Sequence, residues 1–136
     1  MAPRDPKLKL LEAVPLFAHC SRKELKEVCV IADEIDLAEG HVLTREGESG
    51  REFFVLIEGS AVVRRRGRKI NTMGPGDFFG EIALVAARPR TATVTAASDV
   101  RALVVTSQSF QRLMRDMPSI QTKILQAVVA RIPAEN

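Results

Sequence analysis

Histidine and cysteine are scarce in this sequence, with two of each among 136 residues. His19 and His41 lie far apart and lack the spacing of metal ligands, which argues against a catalytic metal centre. Cys20 and Cys29 form neither a C-x-x-C pair nor part of a four-cysteine cluster, so a disulfide framework is not expected. Cys29 falls on an apolar helical stripe and reads as a small buried hydrophobe. No apolar run approaches the ~20 residues of a membrane span. The opening MAPRDPKLKL is not followed by the apolar stretch and small-residue cleavage site of a signal peptide. A cytoplasmic location is therefore the expectation. The phosphate loop G-x-x-x-x-G-K-S/T, the G-x-S-x-G elbow and paired-carboxylate motifs are also missing, so the chain is not expected to be an enzyme.

Length and composition are those of one globular domain spanning residues 1–136, without internal repeat, low-complexity segment or linker. The net charge of +3 is too small to signal nucleic-acid binding by itself, but it leaves a small anion within reach.

Hydrophobic periodicity divides the chain into three parts. In residues 1–33, Ser21 and Glu24 have the spacing of a capping box for the helix SRKELKEVCVIADE, with Cys20 placed to staple against Leu25. Leu25, Val28, Cys29 and Ala32 form its apolar stripe. Before it, LKLLEAVPLF is broken by Pro15, which forces its predecessor into extended geometry. From 34 to 106, short runs such as HVLTRE, REFFVLIEG, SAVVRRR and VRALVVT alternate with glycine-rich turns, the texture of antiparallel strands. Helical spacing returns over 107–132, where Pro118 separates two helices. The predicted fold is α+β: an antiparallel β-roll or jelly-roll barrel flanked by N-terminal helices and two C-terminal helices.

Two segments carry unusual charge. Arg64-Arg65-Arg66-Gly67-Arg68-Lys69 reads as a hairpin tip, either simply solvated or in contact with an acidic lipid, nucleic acid or protein partner. No aromatic residues are interleaved to stack on bases. The second segment, GDFFGEIALVAARPRTATV from Gly76 to Val94, places Glu81 and Arg90 in otherwise apolar surroundings. GEIALVAA favours a short helix, and the preceding glycine permits close backbone approach. Free N–H groups at a helix start bind anions, and the planar fork of Arg90 suits a phosphate. A carboxylate beside that phosphate would face a hydroxyl donor, as on a ribose. Alternatively, Glu81 and Arg90 pair with each other and no ligand is involved.

GDFFGEIALVAARPRTATV closely resembles the phosphate-binding cassette of cyclic nucleotide-binding domains, whose pattern is F-G-E-L/I/M-A-L, a short insert, then P-R-x-A-x-V. VPLFAHCSRKEL resembles the family's entry helices, REGESGREFFVLIEGSAVV its strands, and SDVRALVVTSQSFQRLM its last strand and following helix. Bacterial channel-type and stand-alone members are the most similar in character. The resemblance implies that Arg90 binds the cyclic phosphate with backbone N–H groups at Ala83 and at Thr91 or Ala92. It implies that Glu81 and the Gly80 backbone hold the ribose 2′-hydroxyl, and that Ile82 completes the short helix. Val63 packs the purine, and Arg131 of the last helix covers it. The expected ligand is cyclic AMP, with cyclic GMP as alternative, and Thr91 fits either base. Arg88 is expected to face solvent. The implied function is a sensor that signals through movement of its C-terminal helices to a separate or fused effector. The alternatives are the ligand-binding part of a longer channel, transporter or enzyme, and a degenerate interaction domain. The sequence ends at Asn136 without a helix-turn-helix, so direct DNA binding is not expected.

Overall fold

Short β-branched and aromatic runs punctuated by turns give ten strands among the described residues, each paired antiparallel. The computed structural model describes residues 6–86 and 88–131, the last of these by its backbone only. The strands are β1 (Asp33–Leu37), β2 (Val42–Thr44), β3 (Ser49–Gly50), β4 (Glu52–Glu58) and β5 (Ala61–Arg65), followed by β6 (Arg68–Met73), β7 (Phe78–Phe79), β8 (Arg88–Pro89), β9 (Thr93–Ala96) and β10 (Val100–Thr106). They assemble into sheets ordered β1-β10-β4-β7 and β2-β9-β5-β6, with β3 and β8 forming a separate pair. This is the predicted antiparallel roll.

Position within each sheet explains the patterning. β10 lies between β1 and β4, and Ala102 to Val105 are all buried. A strand covered on both faces reads as a continuous apolar run rather than an alternation. β6 is a sheet edge, and in RKINTM only Met73 is buried, which discourages pairing with other chains. Leu56, Ala61, Met73, Val94, Ala96, Val100 and Ala102 form the roll's core, and Val63 and Phe79 pack against it while staying partly open. The three two-residue strands were not apparent from periodicity, because two residues carry no period.

The chain divides into two compact units, Ala32–Gln108 being the roll and the residues up to Ile31 together with those from Ser109 forming the other. The helices are α1 (Pro6–Glu12), α2 (Arg22–Ile31), α3 (Ser107–Asp116) and α4 (Pro118–Arg131), with a 3-10 turn at Pro15–Phe17. Val14 is extended at φ −82° and ψ 120°, as a residue before proline must be. Pro118 opens α4, where its missing N–H costs nothing. α2 stops at Ile31, short of the predicted Glu34, because Asp33 and Glu34 already pair with Val104 and Leu103 as the start of β1. In the helical unit the Phe17 and Phe110 rings meet with centroids 5.8 Å apart. No helix among the described residues is long and apolar enough to cross a membrane.

The predicted capping box is present. Ser21 Oγ accepts from the Glu24 N–H at 3.1 Å, and Glu24 Oε1 accepts from the Ser21 N–H at 2.7 Å. Sequence reasoning missed that the same Oε1 accepts from Lys123 Nζ at 2.9 Å, tying α2 to α4. Glu24 is 5% exposed. Hydrogen bonds from Lys123, then Ser119, then Ser21, hold its carboxyl down to about 2 from an ordinary 4.5, against the opposing effect of burial.

A carboxyl depressed by folding contributes stability above its unfolded pKa and loses it as pH falls through its folded value. Urea midpoints for the wild type and Glu24→Gln are therefore expected to differ most above pH 5 and to converge as pH falls from about 4.5 toward 2. A difference constant across that range would assign the shift to another group.

Candidate functional site

The segment from Gly74 to Val94 is held in place from both ends. The Gly74 N–H donates to Asp77 Oδ2 at 2.8 Å, and the Asp77 N–H returns to the Gly74 carbonyl at 3.0 Å, closing a turn. β7 follows, with Phe79 opposite Phe54 and Phe78 opposite Val55. The Phe54 and Phe79 rings stack at 5.0 Å, and Phe53 meets Phe78 edge-on at 6.1 Å. Aromatic pairs of this kind contribute beyond their buried area and fix the register of a strand too short to hold itself.

Gly80 then turns the chain at φ 82° and ψ 14°, a left-handed conformation that glycine adopts without a steric penalty. It leads into a 3-10 turn over Glu81–Leu84, shorter and tighter than the predicted helix. Residues three apart eclipse in such a turn, so Glu81 and Leu84 face inward together. Glu81 is 7% exposed and Leu84 fully buried. The Ala83 N–H, the donor expected for the phosphate, donates to the Gly80 carbonyl at 3.0 Å in this tight i to i+3 closure.

Arg90 is fixed by main chain and side chain together. Its N–H donates to the Glu48 carbonyl at 2.7 Å, and its carbonyl accepts from Gly47 N–H at 2.8 Å, extending the short pairing of β3 with β8. Its side chain runs between two glycines. A Cβ at Gly50 would lie 2.5 Å from Nε, and one at Gly80 would collide with Nη1 and with the Glu52 carbonyl. Nη2 donates to that carbonyl at 2.6 Å. No carboxylate pairs with Arg90 among the described residues, so it is not the ion-pair partner of Glu81. Burial pushes its guanidinium below the ordinary value, while the negative charge of Glu52 acts in the opposite direction. Packing and one hydrogen bond thus hold a half-buried cation in place, with no ion pair to a carboxylate among the described residues.

That guanidinium opens on a cavity of about 410 Å³. Gly80, Glu81, Ile82, Ala83, Arg90, Thr91, Ala92 and Val63, all assigned to the site from sequence, line it together. Arg131 ends α4, and its side chain lies outside the described residues. Arg88 also reaches the cavity wall but is exposed. Sequence reasoning missed Gly50 and the Glu52 carbonyl, which position Arg90. Gly50 lay in the quoted REGESGREFF, but nothing marked it as facing Arg90, and a main-chain carbonyl has no sequence signature at all. It also missed Arg65, set aside as hairpin charge. Its two-residue spacing from Val63 on one strand was the available signal.

The sequence model of the cyclic nucleotide-binding domain family matches residues 34–117. A cyclic nucleotide-gated potassium channel of Rhizobium etli is 34% identical over 123 residues, covering 90% of this chain and 34% of the channel. A cAMP-dependent protein kinase regulatory subunit of Mycosarcoma maydis is 38% identical over 124 residues, covering 82% of this chain and 23% of the subunit. The chain thus spans about a third or less of the length of these two relatives. Among solved structures, the N-terminal domain of a transcriptional regulator from Streptomyces coelicolor aligns with a TM-score of 0.82 at 31% identity, over 90% of this chain and 91% of that one. The cAMP-bound PfPKA-R aligns with a TM-score of 0.67 at 28% identity, over 88% of this chain and 45% of that one.

The left-handed backbone and the two collisions at Gly80 make a further prediction. Gly80→Ala is expected to cost roughly 1–3 kcal/mol in urea unfolding. A cost indistinguishable from zero would mean that Gly80 and the Glu52 carbonyl are not held as described.

Proposed function

Because the chain belongs to the cyclic nucleotide-binding domain family, we propose that its cavity takes up a purine cyclic mononucleotide and that the protein acts as a sensor without chemistry of its own. The observation that carries this reading is Arg90, wedged between Gly50 and Gly80 with no carboxylate partner among the described residues. A cyclic phosphodiester supplies the missing anion, and the arginine fork can meet two of its oxygens at once.

The neighbouring residues suit the rest of such a ligand. Glu81, buried on the same cavity wall, accepts a hydrogen bond from the ribose 2′-hydroxyl. Gly80 lets the sugar approach the backbone. Val63 offers the base an apolar wall that the roll's core supports from behind. Thr91 and Ala92 contribute backbone at the phosphate end. The kinase subunits and channels to which the chain is similar make a separate or fused effector the natural recipient of the signal.

Signalling requires two states with different affinities for the ligand, since a ligand shifts an equilibrium only by that difference. We assign the change to the C-terminal helices, with the break at Pro118 as hinge. Amide exchange over residues 107–131 is expected to slow in at least one helix when cyclic nucleotide is added. Identical exchange with and without ligand would remove the helices from the mechanism.

Calorimetric titration with cyclic AMP and cyclic GMP tests the binding itself. Arg90→Ala is expected to lose roughly 2–5 kcal/mol, about 30-fold to several thousand-fold in affinity. The exposed Arg88→Ala should lose under ~1 kcal/mol. Equal losses at the two positions would overturn the choice of Arg90. Glu81→Gln is expected to weaken binding about tenfold and to narrow the discrimination between ribose and 2′-deoxyribose ligands. A variant that discriminates as sharply as the wild type would exclude the ribose role.

A further inference from the structure

The residues lining the cavity differ in exposure. Glu81 is 7% exposed, Arg90 and Val63 are half-buried, and Thr91 and Arg65 are exposed at the rim. The cyclic nucleotide reading gives the base to Val63, and Arg65 lines the same cavity. Those two residues are two apart on β5 and therefore share one face of the strand.

Arg65 is held in place there. Its Nε donates to the Thr91 carbonyl at 3.1 Å, which sets the plane of the guanidinium and leaves both Nη groups available among the described residues. The hairpin behind it is fixed as well. Arg66 and Gly67 both adopt positive φ, 51° and 78°, in a two-residue turn between the paired Arg65 and Arg68. The Arg66 N–H donates to Glu46 Oε1 at 2.8 Å, tying the tip to the preceding loop. An arginine on a free hairpin would be averaged over rotamers, whereas this one is anchored across the cavity rim.

A guanidinium only donates hydrogen bonds. Guanine presents two adjacent acceptors, O6 and N7, whereas adenine places an N6 donor beside its N7 acceptor. From this geometry we infer that Arg65 reads the purine edge and makes the cavity selective for guanine, an inference that rests on the cyclic nucleotide reading above. It runs against the adenine expectation drawn from sequence resemblance. Affinity then resides in Arg90 and Glu81, and base choice in Arg65.

The test is calorimetric titration of the full chain with cyclic GMP, cyclic IMP and cyclic AMP, for the wild type, Arg65→Ala and Arg65→Gln. Cyclic IMP keeps O6 and N7 but lacks the 2-amino group. The wild type is expected to bind cyclic GMP and cyclic IMP roughly 5- to 100-fold more tightly than cyclic AMP. Arg65→Ala should bring the three together. Arg65→Gln, with a donor and an acceptor that match adenine N7 and N6, should favour cyclic AMP. Cyclic IMP behaving like cyclic AMP would show that the 2-amino group is read instead, and would overturn the inference. So would an unchanged preference in both variants, or an equal loss for all three ligands, which would place Arg65 on the phosphate. Failure of all three to bind the wild type would overturn the cyclic nucleotide reading itself, and the inference with it.

Discussion

The arrangement of the site depends on one contact, the passage of the Arg90 side chain between Gly50 and Gly80 to the carbonyl of Glu52. An arginine carries considerable rotamer entropy, and a loop arginine would ordinarily spread over many conformations. Here two missing Cβ atoms make a slot only as wide as the side chain. The backbone carbonyl at its end takes one N–H pair without neutralising the charge. The result is a guanidinium confined by packing and one hydrogen bond, which is the state the proposed phosphate contact requires.

The roll brings two backbone segments that are remote in sequence to that slot, Gly50–Glu52 and Gly80. Gly50 comes from β3, Glu52 from the start of β4 and Gly80 from the end of β7. β4 is buried from Phe53 to Leu56 and lies between β10 and β7, so the Glu52 carbonyl is as fixed as the core itself. The stacked Phe54 and Phe79 transmit that rigidity to β7 and hence to Gly80. The short β3–β8 pairing and the Gly47 and Glu48 bonds clamp the backbone of Arg90. Core packing and the position of the Arg90 guanidinium are thus linked, so changes at Phe79 or Gly50 act on a charge they do not carry.

Much of this was legible in the sequence, and the division between what was and was not has a physical basis. The capping box at Ser21 and Glu24, the strands from β4 to β6 and the helical break at Pro118 depend on local spacing, which a sequence displays directly. Eight of the nine assigned site residues line one cavity, seven of them from the single stretch between Gly76 and Val94 and Val63 from a neighbouring strand. The ninth, Arg131, has its side chain outside the described residues. What escaped were relations across long separations. Lys123 meets Glu24 from 99 positions away, and Arg90 meets Glu52 through a carbonyl that every residue possesses. The short helix became a 3-10 turn because Gly80 starts it in a left-handed conformation, a tertiary constraint absent from the propensities of Glu-Ile-Ala-Leu.

On the proposed reading, the different exposure of the cavity's residues suits a division of affinity and selectivity between them. A charge-assisted contact at the more buried residues, Glu81 and Arg90, is strong and its loss costly, which suits them to the groups that the proposed ligands share. At the rim, solvent weakens each contact and offers the base competing hydrogen bonds, so discrimination depends on geometry more than on energy. An arginine whose Nε is already committed to the Thr91 carbonyl meets that requirement, because fewer orientations remain to its guanidinium. The same anchor links the rim to the phosphate end through a single peptide, since Thr91 follows Arg90 directly. On the proposed reading, a base that engages Arg65 would therefore be joined to the phosphate contact through the cassette backbone as well as through the ligand.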